Sequence, residues 1–359
     1  MGRWVSLLVC WATVASTCGA ATFEEIARQA AAARDADQVP QAINLYQQAL
    51  RLKPDWPEGW FYLGTLYYDI DRYAEALPAF RRFVGLGDKP AGWAFVGLCE
   101  FETGDYAQAR EHLQKALDGG VAPEIEPAVR FHEALALTRL GLFGQAMHWY
   151  RAMVRSRNHD ATLMAGLGLT ALNRAMLPKE EPTDQRELVA AAGQTVYTWM
   201  SGDHAKTEAS FRTLLELYGT APGVHYLYAT YLLSGHADAA MTEARRELEV
   251  NPECGEARAL VALLLRQAGQ GAEAAAEAKK AVAEQPSSPL AQYTYALGAG
   301  DAHEAAAHLE IAERLNPFNL EYHLLLAHEY ALLGRNEEAL RERRAAIQLA
   351  KENDSQRPY

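Results

Sequence analysis

The residues Gly166-Leu167-Gly168-Leu169-Thr170-Ala171 carry the glycine spacing of a dinucleotide-binding turn. That chemistry needs a strand before the glycines and a helix N-terminus at them, so that backbone N–H groups meet a pyrophosphate. Here the hexad lies inside a helical pattern with no strand nearby, so the glycines are expected to serve close helix packing. His303-Glu304 with His308 resembles a zinc-protease pair stretched by one residue. Histidines at i and i+5 point about 140° apart on a helix of 3.6 residues per turn, so they cannot share a metal. They are expected at the surface, and His323 with His328 fails as a metal pair for the same reason. No phosphate-cradling loop ending in Lys-Ser/Thr occurs, and no cysteine pair has zinc-ribbon spacing. The carboxylates read as solvated helix faces, for example Glu273 and Glu277 beside Lys279-Lys280. No catalytic set, cofactor or metal site is expected: the chain is read as a non-enzyme.

The elements that carry these residues repeat. Ala42, Tyr46, Ala49 and Pro54 recur as Ala240, Ala244 and Pro252, as Ala274, Ala278, Ala281 and Pro286, and as Ala305, Leu309, Ala312 and Pro317. Pro252 and Pro286 are 34 residues apart. Small residues at fixed places, a turn, and an amphipathic helix ended by proline describe a helix pair that stacks on copies of itself. Alanine-rich sequence with few β-branched runs agrees with an all-α chain. The 359 residues therefore need no single large core.

This pattern resembles the tetratricopeptide repeat family over nearly the whole mature chain. In that family the first helix of each pair, helix A, carries Trp, Leu, Gly and Tyr, found here as Trp60, Leu63, Gly64 and Tyr67. Helix B carries Ala76 and Phe80. The resemblance implies a right-handed α-solenoid of antiparallel helix pairs. Units are expected from Phe23, Pro57, Pro90, Pro127, Ala221, Gly255, Pro289 and Leu320. The turns inside them fall at Gly104, Gly141, Gly202, Gly235, Gly269, Gly300 and Gly334. The pair from Pro289 has a shortened first helix. The last helix, from Asn336 to about Lys351, is expected to present a polar capping face. Residues 21–177 read as one array of about four repeats plus an extra helix spanning Asp160–Leu177. Residues 178–185 read as a polar, proline-bounded break, residues 186–351 as a second array, and 352–359 as a disordered tail.

Residues 1–20 read as a secretory signal peptide: Arg3, an apolar run from Trp4 to Ala15, then small residues up to Ala20. Two other fates stay open, lipid attachment at Cys18 and retention of the segment as an anchor. Export to the periplasm or medium is the expectation, with no membrane span after cleavage. The formal charge is −12, and losing Arg3 makes it −13, which disfavours nucleic acid and anionic membranes as partners. Cys99 and Cys254 lie several repeats apart and are expected not to pair.

The resemblance also implies a concave surface lined by the A helices. Its binding positions fall here on Phe61 and Tyr68, on Leu98 and Phe101, and on Phe131, a stripe for a protein or peptide partner of unknown identity. Burial by neighbouring helices is the competing reading of all five. The family's clamp for a chaperone's C-terminal carboxylates is missing, because Ala27, Ala31, Phe61 and Thr65 stand at its positions. The function implied is an exported scaffold of the cell envelope. An accessory or carbohydrate-binding role in envelope polysaccharide assembly or secretion, with Trp60, Trp93, Trp149 and Trp199 stacking on sugars, is the alternative.

Overall fold

In a computed structural model, residues 22–156 and 160–355 are described, with side chains to residue 352. Residues 1–21, where the signal peptide is expected, 157–159 and 356–359 lie outside the described residues. Among the described residues nineteen α-helices follow one another: α1 Phe23–Asp35, α2 Val39–Leu52, α3 Pro57–Tyr68, α4 Tyr73–Leu86, α5 Pro90–Glu102, α6 Tyr106–Gly119 and α7 Glu126–Arg139. They continue with α8 Phe143–Arg155, α9 Ala161–Ala171, α10 Arg186–Met200, α11 His204–Tyr218, α12 Val224–Leu232 and α13 Ala237–Val250. The last six are α14 Gly255–Gln267, α15 Gly271–Glu284, α16 Pro289–Ala296, α17 Ala302–Leu315, α18 Leu320–Leu332 and α19 Asn336–Ser355. No strand occurs among the described residues. The chain is an all-α solenoid. Packing divides it after Gly92 into two compact units.

The repeated small residues sit where helices cross. Ala42, Ala49, Ala76, Ala109, Ala146, Ala240, Ala244 and Ala281 are each fully buried. The bulky partner of each crossing is buried too, as Tyr46, Phe80, Tyr150, Phe211 or Leu309. A Cβ on Gly64 would stand 2.7 Å from the Phe80 ring, so this glycine sets how closely α3 approaches α4. Turns within pairs use the left-handed backbone at Gly104, Gly141, Gly202, Gly269 and Gly334, but Asp37 and Asp71 fill that role in the first two pairs. α16 has eight residues, the shortened helix expected there.

Four chemically different side chains perform one task between successive pairs. Six residues after each pair-ending proline, an N–H donates to that proline's carbonyl. The donors are Trp60 Nε1 to Pro54 at 2.9 Å, Arg258 Nη2 to Pro252 at 2.7 Å, Gln292 Nε2 to Pro286 at 2.7 Å and His323 Nε2 to Pro317 at 2.8 Å. Each satisfies a backbone carbonyl in the turn just past the end of a B helix.

The middle of the chain departs from the expected layout. α9 stops at Ala171 instead of running to Leu177, because Asn173 turns into the left-handed region at φ 54°. Its partner is α10. Here the Gly166-Gly168 hexad meets Gly193: a Cβ on Gly168 would lie 2.0 Å from the Val189 oxygen, and one on Gly193 would lie 1.9 Å from the Met164 oxygen. The two backbones touch, and only glycine allows it. Residues 178–185 form two short 3-10 turns rather than a loose linker. Glu181 is buried there and accepts from Arg174 at 3.0 Å, while Arg174 also donates to Gln185 at 2.6 Å. One hydrophobic cluster runs from Ala134 through Leu163 and Val189 to Leu227, so packing continues across the segment.

At the C-terminus, α19 continues to Ser355, so residues 352–355 of the expected tail are helical. Its outer face is not wholly polar: Leu340 and Ile347 are 50% and 56% exposed. His323 is buried, with Nδ1 2.8 Å from Glu342. Cys99 is buried, Cys254 half-buried, and both are free thiols. Burial pushes the two thiols up to about 12 and about 11 respectively, so both stay protonated and inert at neutral pH.

Candidate binding surfaces

The predicted stripe divides into accessible and buried positions. Phe61 and Tyr68 on α3 are half-buried. Phe61 rests on Phe80 and Phe83 at ring separations of 6.1 and 5.1 Å, and Tyr68 meets Tyr73 edge-on at 5.2 Å. In the second unit Phe131 is half-buried against His132. Leu98 and Phe101, however, are core residues, each 4% exposed. Phe101 is wedged edge-on between Tyr106 of α6 at 5.4 Å and His132 of α7 at 4.9 Å. Helix neighbours cover it, so the burial reading holds at those two positions. Of the tryptophans weighed for sugar stacking, Trp60 serves the proline carbonyl described above. Trp93 lies flat on His112 at 4.9 Å with Lys115 over its ring at 3.7 Å.

The second unit also contains a cavity of about 720 Å³, none of whose walls comes from those five positions. It exists because α8 meets the corner between α17 and α18, some 170 residues further on. Gln145 Nε2 donates to the Leu315 carbonyl at 2.9 Å. His148 stacks flat on Phe318, with ring centroids 3.8 Å apart and planes 5° from parallel. Gly144 lies against Asn316, leaving no room for a Cβ. Between these contacts the inner ends of α12, α14, α16 and α18 supply Tyr226, Glu256, Leu290 and Tyr322, α10 supplies Trp199, and α8 supplies His148 and Arg151.

The walls differ in charge. On the α8 side, burial and then the nearby Arg151 push His148 down to about 4, so the ring is neutral at pH 7. Arg151 reaches solvent inside the cavity yet is hemmed in by protein, and this desolvation lowers its pKa while leaving it cationic. On the other side Glu256 is buried, with Tyr226 Oη donating to it at 3.4 Å. Burial pushes the Glu256 carboxyl up to about 6, and it raises the phenols of Tyr226 and Tyr322 well above their usual range. The walls offer aromatic faces, hydroxyls and a cation, which is the chemistry of recognition. Among the described residues no three His, Cys, Asp or Glu side chains gather to hold a metal ion.

Sequence reasoning missed this site for an identifiable reason. Carrying the family positions of Phe61 and Tyr68 past the fourth repeat reaches Ala259, Arg266 and Tyr293, not the wall residues Glu256 and Leu290, which lie nearer the starts of their helices. No local pattern marks His148 and Arg151, which sit on a B helix and enter the site only through the contact with the α17–α18 corner.

The stacked pairs, their turns and their buried small residues define a helical-repeat scaffold. The tetratricopeptide repeat model matches residues 28–92, 97–161 and 230–289, over half of the chain. The protein belongs to the tetratricopeptide repeat family, whose repeats form protein-interaction scaffolds. No curated protein matches the sequence. Solved structures that it resembles include the TPR domain of P58(IPK), at 13% identity over 93% of this chain and 99% of that one, with a TM-score of 0.32. The Cut9–Hcn1 hetero-tetramer of the APC/C matches at 14% identity over 92% of this chain and 66% of that one, with a TM-score of 0.41. Yeast Tom70 matches at 13% over 91% and 92%, with a TM-score of 0.32. No described helix is long and apolar enough to cross a membrane.

Proposed function

We propose that this protein is a non-catalytic scaffold, exported to the cell envelope, that holds a protein partner on the inner faces of its A helices. The observation supporting this reading is that Phe61 and Tyr68 on α3, and Phe131 on α7, keep partly accessible rings in a family that builds interaction surfaces. Aromatic side chains on rigid helices give large contact area at low entropic cost. The leader-like segment and the acidic balance point to export and to a basic or neutral partner.

Site-specific photocrosslinking in the native cells tests the reading. A photoreactive residue at Phe61 or at Phe131 is expected to trap a discrete protein, and Tyr68→Asp is expected to suppress the adduct at Phe61 without loss of helicity. Adducts that form equally from exposed B-helix positions such as Glu273 would overturn it. Fusion of residues 1–30 to an export-dependent reporter tests the address.

A further inference from the structure

We propose that the cavity of the second unit is a binding site for a small organic anion with an apolar, aromatic body, its charge held by Arg151. This goes beyond the scaffold reading and does not depend on it.

Three observations carry the proposal. First, the space is built for a small molecule. Its volume of about 720 Å³ falls in the range of ligand pockets, roughly 300–1,000 Å³. One side of it is closed by Gln145 and His148, which bind the 315–318 corner. Second, Arg151 lines the space as a cation without a counter-charge: among the described residues no carboxylate pairs with it. A guanidinium held in that state gains most from an anion that brings no water with it. Third, the remaining surface suits a flat, apolar body. Trp199, Tyr226 and the His148–Phe318 stack face the space with Leu290 between them. Glu256 lines the same space from α14 and is occupied by Tyr226, so the anionic end is expected to avoid it and to favour Arg151.

The test uses two dyes of nearly the same shape, 8-anilino-1-naphthalenesulfonate and the uncharged N-phenyl-1-naphthylamine, with the mature full chain at pH 7. Each is expected to bind saturably at one per chain. Arg151→Met should weaken the sulfonate about tenfold or more, as expected for losing a charge-assisted contact. The same change should leave the neutral dye within about twofold, which also reports that the cavity is intact. Arg151→Lys should hold both affinities near the parent values. Unchanged sulfonate binding in Arg151→Met would overturn the role of the charge. Failure of both dyes to saturate would overturn the site itself. Neither result bears on crosslinking at Phe61 or Phe131, so the scaffold reading stands or falls separately.

Discussion

Single residues in this protein answer to backbone proximity and orphan polar groups. The glycine hexad that imitates a nucleotide loop is a helix crossing: Gly168 and Gly193 each face the partner helix's carbonyl oxygens at a distance no side chain tolerates. Gly168→Ala or Gly193→Ala should therefore destabilise by about 3 kcal/mol or more, through forced separation of α9 and α10. Chemical denaturation checks this, with Gly104→Ala as a comparison that meets backbone strain but no clash. The proline-carbonyl donors make a second residue-scale case. Gln292→Leu leaves the Pro286 carbonyl without its partner and should cost about 1–2 kcal/mol. Glu133 supplies the pH dependence. It is buried, Oε2 has no partner, and burial pushes the carboxyl up to about 8 despite the opposing Arg110. Below pH 4.5 it is protonated folded or unfolded. Between about 4.5 and 8 only the unfolded chain ionises, so this group's contribution falls as pH rises. Glu133→Gln should then raise stability at pH 9 relative to pH 5, on the order of 2–4 kcal/mol at about 1.4 kcal/mol per unit. Equal shifts at both pH values would refute it.

At the scale of elements, the helix pairs were largely legible because their code is local. Ala274, Ala278 and Ala281 read as a crossing seam from spacing alone, and all three are buried. Ala274→Leu should overpack that crossing by about 1–3 kcal/mol. Hydrogen exchange should rise in α14 and α15 and stay unchanged in α1 and α2, since each repeat leans on its neighbours. The stripe was less legible. Phe101 occupies the helix-A position that leaves Tyr68 half-buried one pair earlier, yet α6 and α7 close over Phe101. Family position identifies which helix face a residue takes, but not how far the next pair covers it. Phe101→Asp is thus expected to lower stability by about 3 kcal/mol or more, rather than to act on binding alone.

The second unit, taken as a whole, is held by a contact that skips the eight helices from α9 to α16. Gln145→Ala combined with Phe318→Ala removes a side-chain hydrogen bond to the α17–α18 corner and the stack on His148. Amide exchange should then accelerate in residues 143–151 and 316–322 together, although they are far apart in sequence. Acceleration confined to one of them would mean that the contact does not couple the two ends.

Composition and spacing by themselves determined the class: an all-α chain of stacked pairs, with small residues at the crossings and a shortened α16. Each of these depends on interactions within a few turns of helix, where residue type and spacing are sufficient. The tertiary structure alone decided that α9 packs on α10 across residues 178–185, that Phe101 is core, and that α8 meets the 315–318 corner to form the cavity that Arg151 lines. Those outcomes accumulate from small rotations at every successive pair. No repeat encodes where the ninth or tenth helix after it will lie, so the cavity exists only once the intervening pairs are stacked.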